Sequence, residues 1–127
     1  MEITTIFLAI LALMYLALGL RVSVIRSRLG VTIGNGKDEG LIRAVRTHAN
    51  FIEYVPLLVL VLWMIEYNVG TEWYVWLFGI ALVTGRGLHV YGMWNAHTPD
   101  AARGAGMLLT YSLLLIGSLY LLLLALT

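Results

Sequence analysis

The run from Ile3 to Leu20, ITTIFLAILALMYLALGL, is 18 residues without a charge. As a helix rising ~1.5 Å per residue it covers ~27 Å, close to the hydrocarbon thickness of a bilayer. It follows Glu2 and stays apolar too long for a cleaved secretory signal, so it reads as a first transmembrane helix kept in the mature protein. The whole chain agrees with it: 61% of the residues are hydrophobic and 12% charged, against about 45–50% and about 25% in soluble domains. An ordinary soluble fold is excluded. A length of 127 residues allows one small domain, taken as 1–127. The net charge of +1 argues against a nucleic-acid binder, and the lack of cysteine removes disulfides, thiolate metal sites and a cysteine nucleophile.

Three further apolar stretches complete the pattern. Tyr54 to Ile65 is too short to span alone, but a helix reaching back through Leu41 is long enough, with a polar amino-terminal half. The third stretch opens at Trp73 and carries Arg86 and His89 near its end, and the fourth, Ala105 to Leu126, has no charge. Backbone polar groups inside lipid must be satisfied within the segment, which favours helices over strands here. The expected fold is an all-α four-helix transmembrane bundle, with helices near 3–24, 40–67, 73–95 and 104–126.

All eight cations (Arg21, Arg26, Arg28, Lys37, Arg43, Arg46, Arg86 and Arg103) fall on the side of the first and third connections, whereas Glu2, Glu66 and Glu72 fall on the other. Less Asp38, Glu39, Glu53 and Asp100, the basic side carries +4 and the opposite side −3. Positive charge marks the cytoplasmic side, so both termini are expected outside. The connection near Arg21–Gly40 is glycine-rich and ends in Lys37, but Val31 and Asp38 stand where a phosphate-binding loop needs glycine and Ser/Thr, so it reads as a plain connection.

Charges inside membrane helices are expensive and usually face a bundle interior or a wet cavity. Arg43, Arg46, Asn50, Glu53 and Tyr54 share one face of the second helix, and Arg86 and His89 sit at i, i+3 on the third. With Arg21 at the end of the first helix and Arg103 before the fourth, they form a candidate cationic pocket containing one carboxylate. Simpler readings stand beside it. Arg26 and Arg28 serve topology, Glu53 is structural glue between helices, and Ala81, Gly85, Gly92 and Ala96 mark close helix packing. His48, His89 and His97 lack helical ligand spacing, so no metal site is expected. Several arginines suit a ligand with more than one carboxylate, and one glutamate suits its ammonium. A small peptide-like anion such as glutathione fits.

The segment from Arg46 to Pro56, with the order R-x-x-x-N-x-x-E-Y-x-P, resembles the second-helix signature of the MAPEG family, membrane-associated proteins of eicosanoid and glutathione metabolism, and most of all its bacterial branch. Arg86, His89, Arg103 and the four-span length extend the likeness over essentially the whole chain. The resemblance implies a homotrimer in the bacterial inner membrane with glutathione held between subunits near the cytoplasmic face. It implies glutathione binding by Arg46, Asn50, Glu53, Tyr54, Arg86 and His89, with Arg21 a looser match, and places Arg103 beside the sulfur. Where eicosanoid synthases of the family carry a tyrosine four residues after the His89 position, this chain has Met93. The implied activity is a glutathione transferase acting on an apolar electrophile, the same thiolate serving peroxidase chemistry on lipid hydroperoxides. The alternative is a non-catalytic lipid-binding or lipid-presenting protein of the same fold. A four-span multidrug exporter is disfavoured because Ile3 to Leu20 holds no acidic residue.

Overall fold

The computed structural model describes residues 2–94 and 96–127. It has four α-helices: α1 (Glu2–Leu29), α2 (Glu39–Val69), α3 (Trp73–Gly92) and α4 (Asp100–Leu126). Three of them, α1, α2 and α4, are long and apolar enough to cross a membrane. The 20-residue α3 is interrupted by Arg86 and His89, and it buries both inside the bundle rather than toward lipid.

The helix ends depart from the sequence expectation in ways that local chemistry explains. α1 runs to Leu29 instead of stopping near 24, because Arg21 to Leu29 stays helical after the apolar run ends. At 28 residues it is ~42 Å long, more than a bilayer core requires. Gly30 then takes φ 66°, and Val31 N–H donates to Arg26 O across the helix end. The Asp38 side chain caps α2, accepting from Leu41 N–H at 2.8 Å. α3 ends at Gly92 rather than 95, where the Thr98 hydroxyl donates to the Gly92 carbonyl at 3.1 Å. α4 starts at Asp100 rather than 104. Pro99 precedes it with φ −63°, and Asp100 places negative charge at its positive end, so Arg103 lies inside the first turn of α4 instead of before it.

α2 touches the other three helices, α1 and α4 do not touch each other, and α3 and α4 form the closest pair. That pair is tight because glycines face each other. A side chain at Gly106 would meet the Gly85 carbonyl at 2.5 Å, and one at Gly92 would run into the Arg103 backbone. Phe7 of α1 fills the space left by Gly79 on α3. The core joins Ile3, Phe7 and Leu11 to Leu58 and Leu62 of α2 and to Val75 and Leu82 of α3. Leu108, Leu115, Ile116, Leu119 and Leu122 of α4 stay exposed on its outer side, as a lipid-facing surface requires.

Glu66, at the end of α2 away from the arginines, is satisfied inside the bundle. It is 2% exposed, and its two carboxylate oxygens accept the Ile3 and Thr4 backbone N–H groups at 3.0 and 2.8 Å. A carboxylate of α2 thus caps the amino-terminus of α1, where free N–H donors and the helix dipole both favour an anion.

Candidate functional site

The site is built at the end of the bundle where α2 and α4 begin and α1 and α3 finish. Its foundation is Arg86. This side chain is 1% exposed and is held from the two neighbouring helices α2 and α4. Nη1 donates to Asn50 Oδ1 at 2.9 Å, and Nη2 donates to Thr110 Oγ1 at 2.7 Å and more weakly to Met107 Sδ at 3.5 Å. Thr110 in turn donates to the Gly106 carbonyl at 2.8 Å. Every one of these partners is neutral, Arg86 forms no ion pair among the described residues, and its Nε has no partner. A buried guanidinium without a counter-charge is expensive, and it leaves a positive potential on its surroundings.

Above it lies a groove of about 290 Å³ lined by Glu39, Ile42, Arg43, Arg46, Met93 and Arg103. Arg103 pairs with Asp100 at 3.5 Å, both side chains being largely exposed, and its Nη1 lies 3.9 Å from Met93 Sδ. The groove therefore gathers three guanidinium groups and two soft or acidic neighbours at the mouth of the bundle. From Arg46 the polar face of α2 continues through Asn50 to Glu53 and Tyr54, eight residues or ~12 Å along the helix. Glu53 is exposed on the surface of the chain, and the Tyr54 hydroxyl is 3.2 Å from that of Tyr111 on α4.

The residues expected from sequence thus fall into three groups. Arg46 and Arg103 line one groove, joined by Arg43. Asn50 and Arg86 bond to each other beneath it, with His89 buried within electrostatic range of Arg86 and Arg103. Glu53 and Tyr54 lie deeper along the outer face. Arg21 is occupied elsewhere: it donates to the Trp94 carbonyl and stacks over the Trp94 ring at 4.0 Å, tying α1 to the connection after α3. Thr110 was not singled out from sequence. Its signal was the spacing Gly106, Thr110, Leu113 and Gly117, the buried face of an otherwise uniform apolar helix.

A second cavity is wholly different. Leu8, Leu11 and Tyr15 of α1, with Phe51, Val55 and Leu60 of α2 among its walls, enclose an apolar groove of about 440 Å³. Val55 lies nine residues, two and a half turns, beyond Arg46, so this groove occupies the opposite side of α2 from the arginines. At its upper end Tyr15 stacks on His48 with ring centroids 4.8 Å apart.

Comparison with known proteins agrees with this architecture. Residues 4–124 match the MAPEG family. Two relatives, each named inner membrane protein YecN, from Escherichia coli K12 and from Escherichia coli O6:H1, are both 30% identical over 114 residues, covering 90% of this chain and 86% of theirs. No solved structure matches.

Proposed function

Because the chain belongs to the MAPEG family, we propose that it is an integral membrane glutathione transferase, working as a homotrimer in a bacterial inner membrane with its arginine end toward the cytoplasm. The observation that carries this reading is the accumulation of positive charge: Arg86 is buried with only neutral partners, and Arg43, Arg46 and Arg103 line the groove above it. Such a site calls for an anion with more than one carboxylate. Arg46 grips a carboxylate of glutathione, Asn50 and Arg86 fix the floor, and Glu53 receives the ammonium, with Tyr54 beside it.

Glu53 also supports the trimer. A carboxylate exposed on one protomer along a spanning helix is too expensive to face lipid, so protein or trapped water must cover it. The arginine face and the apolar α1–α2 groove lie on opposite sides of α2, so one protomer cannot join them. A head-to-tail ring sets the apolar face of one copy against the polar face of the next. There an apolar electrophile arriving from the bilayer meets the sulfur.

Chemistry then needs a thiolate. A free thiol has a pKa near ~8.5, and lowering it by one unit stabilises the anion by ~1.4 kcal/mol. Arg103 supplies a fixed cation in the first turn of α4, where the helix dipole adds ~0.3–1 kcal/mol. The thiolate attacks the electrophilic carbon, a C–S bond forms, the leaving group departs with its electron pair, and the thiol proton has already passed to solvent. With a lipid hydroperoxide the same thiolate attacks the terminal oxygen: an S–O bond forms, the O–O bond breaks and the lipid leaves as its alcohol, and a second glutathione condenses with the resulting sulfenic acid to give glutathione disulfide and water.

The test is to add glutathione and a generic aromatic electrophile to the purified protein in detergent. Saturable glutathione binding and thioether product are expected. Binding of lipid without binding of glutathione, and without product, would instead support the non-catalytic lipid-presenting reading.

A further inference from the structure

Met93 lines the arginine groove, and the fold puts its thioether against Arg103. We propose that Met93 is an oxidation site: hydroperoxides convert it to the sulfoxide, whose oxygen captures the Arg103 guanidinium and withdraws it from the groove. That the withdrawal weakens glutathione activation rests on the function proposed above; the oxidation and the capture do not.

Three observations lead here. Met93 follows the last residue of α3 and is half-buried, lining the groove between α2 and α4. Its sulfur lies 3.9 Å from Arg103 Nη1, the distance of a weak sulfur acceptor. The other described methionines are placed differently. Met107 accepts from the fully buried Arg86, Met14 packs against the core, and Met64 lies on the outer surface of α2 among apolar residues. Among these, Met93 alone lines the arginine groove.

The reaction balances without any further reagent. The Met93 sulfur lone pair attacks an oxygen of the hydroperoxide, an S–O bond forms and the O–O bond breaks. The departing oxygen keeps the bonding pair and leaves as the alcohol with the hydroperoxide proton. Sulfur is oxidised by two electrons and the peroxide is reduced by two. Arg43, Arg46 and Arg103 stabilise the alkoxide character that develops on the departing oxygen. The product replaces a poor acceptor with a strong one, placed within hydrogen-bond reach of a guanidinium whose present ion pair with Asp100 is 3.5 Å long and exposed. Because methionine sulfoxide is enzymatically reducible, the change is reversible.

The experiment treats the full-length protein in detergent with a limiting amount of cumene hydroperoxide and maps oxidation at each methionine by mass spectrometry. Met93 is expected to oxidise about tenfold faster than Met107. In the oxidised protein, labelling of Arg103 by phenylglyoxal is expected to slow about fivefold, with recovery after methionine sulfoxide reductase and no change in Met93→Leu. Equal oxidation of Met93 and Met107, or Arg103 labelling unchanged after Met93 is oxidised, overturns the proposal. Thiolate absorbance with added glutathione is read on the same samples. Its absence before oxidation counts against the proposed transferase, while the labelling result still decides the fate of Met93.

Discussion

Glu66 and Arg86 are both buried charges in a membrane bundle, and they are satisfied in opposite ways. The Glu66 carboxylate meets two backbone N–H groups at the start of α1, an arrangement complete within one chain. Arg86 meets an amide, a hydroxyl and a thioether, none of them charged, and lies at the end of the bundle where more arginines collect. The first is a structural clasp whose charge is answered by a helix dipole. The second holds positive potential in reserve. Two equally buried ions therefore carry different meanings, and the difference lies in whether the fold itself supplies the opposite charge.

Substitutions sharpen that contrast. The largest effect is expected from Glu66→Leu, which leaves the Ile3 and Thr4 N–H groups buried and unpaired at a cost of roughly 3 kcal/mol. Thermal unfolding in detergent measures it, and the folded fraction should keep its glutathione affinity. Arg86→Met is expected to do the reverse. Removing an uncompensated buried charge is nearly neutral for stability, whereas glutathione affinity falls about tenfold. Equal destabilisation by the two, with affinity untouched by the second, would erase the distinction. Thr110→Val, which removes one acceptor from Arg86, should cost about 1 kcal/mol and about threefold in affinity by calorimetry. Asp100→Ala breaks only an exposed pair with Arg103 and should change stability by less than ~0.5 kcal/mol. A large loss there would mean that the start of α4 depends on the pair.

Much of this was legible in the sequence because membranes impose a simple grammar. Charge-free runs long enough to span marked α1 and α4, and the shared helical face of Arg46, Asn50, Glu53 and Tyr54 followed from spacing alone. What escaped were contacts between residues far apart in the chain. Nothing local reveals that the start of α1 arrives above Glu66. The partner of Arg21, Trp94, lies 73 residues away, a contact that no spacing along α1 reveals. The close approach of Gly92 to Arg103 is likewise a property of the α3–α4 pair, invisible along either helix.

The central claim is that the groove at the arginine end holds glutathione as its thiolate with Arg103 beside the sulfur. It is tested most directly by the ultraviolet difference spectrum on adding glutathione near neutral pH to the purified protein and to Arg103→Ala. A saturable thiolate band in the native chain, lost in the variant while glutathione still binds, is the result expected. A native chain that binds glutathione with no thiolate band, or an equal band in both proteins, would contradict it.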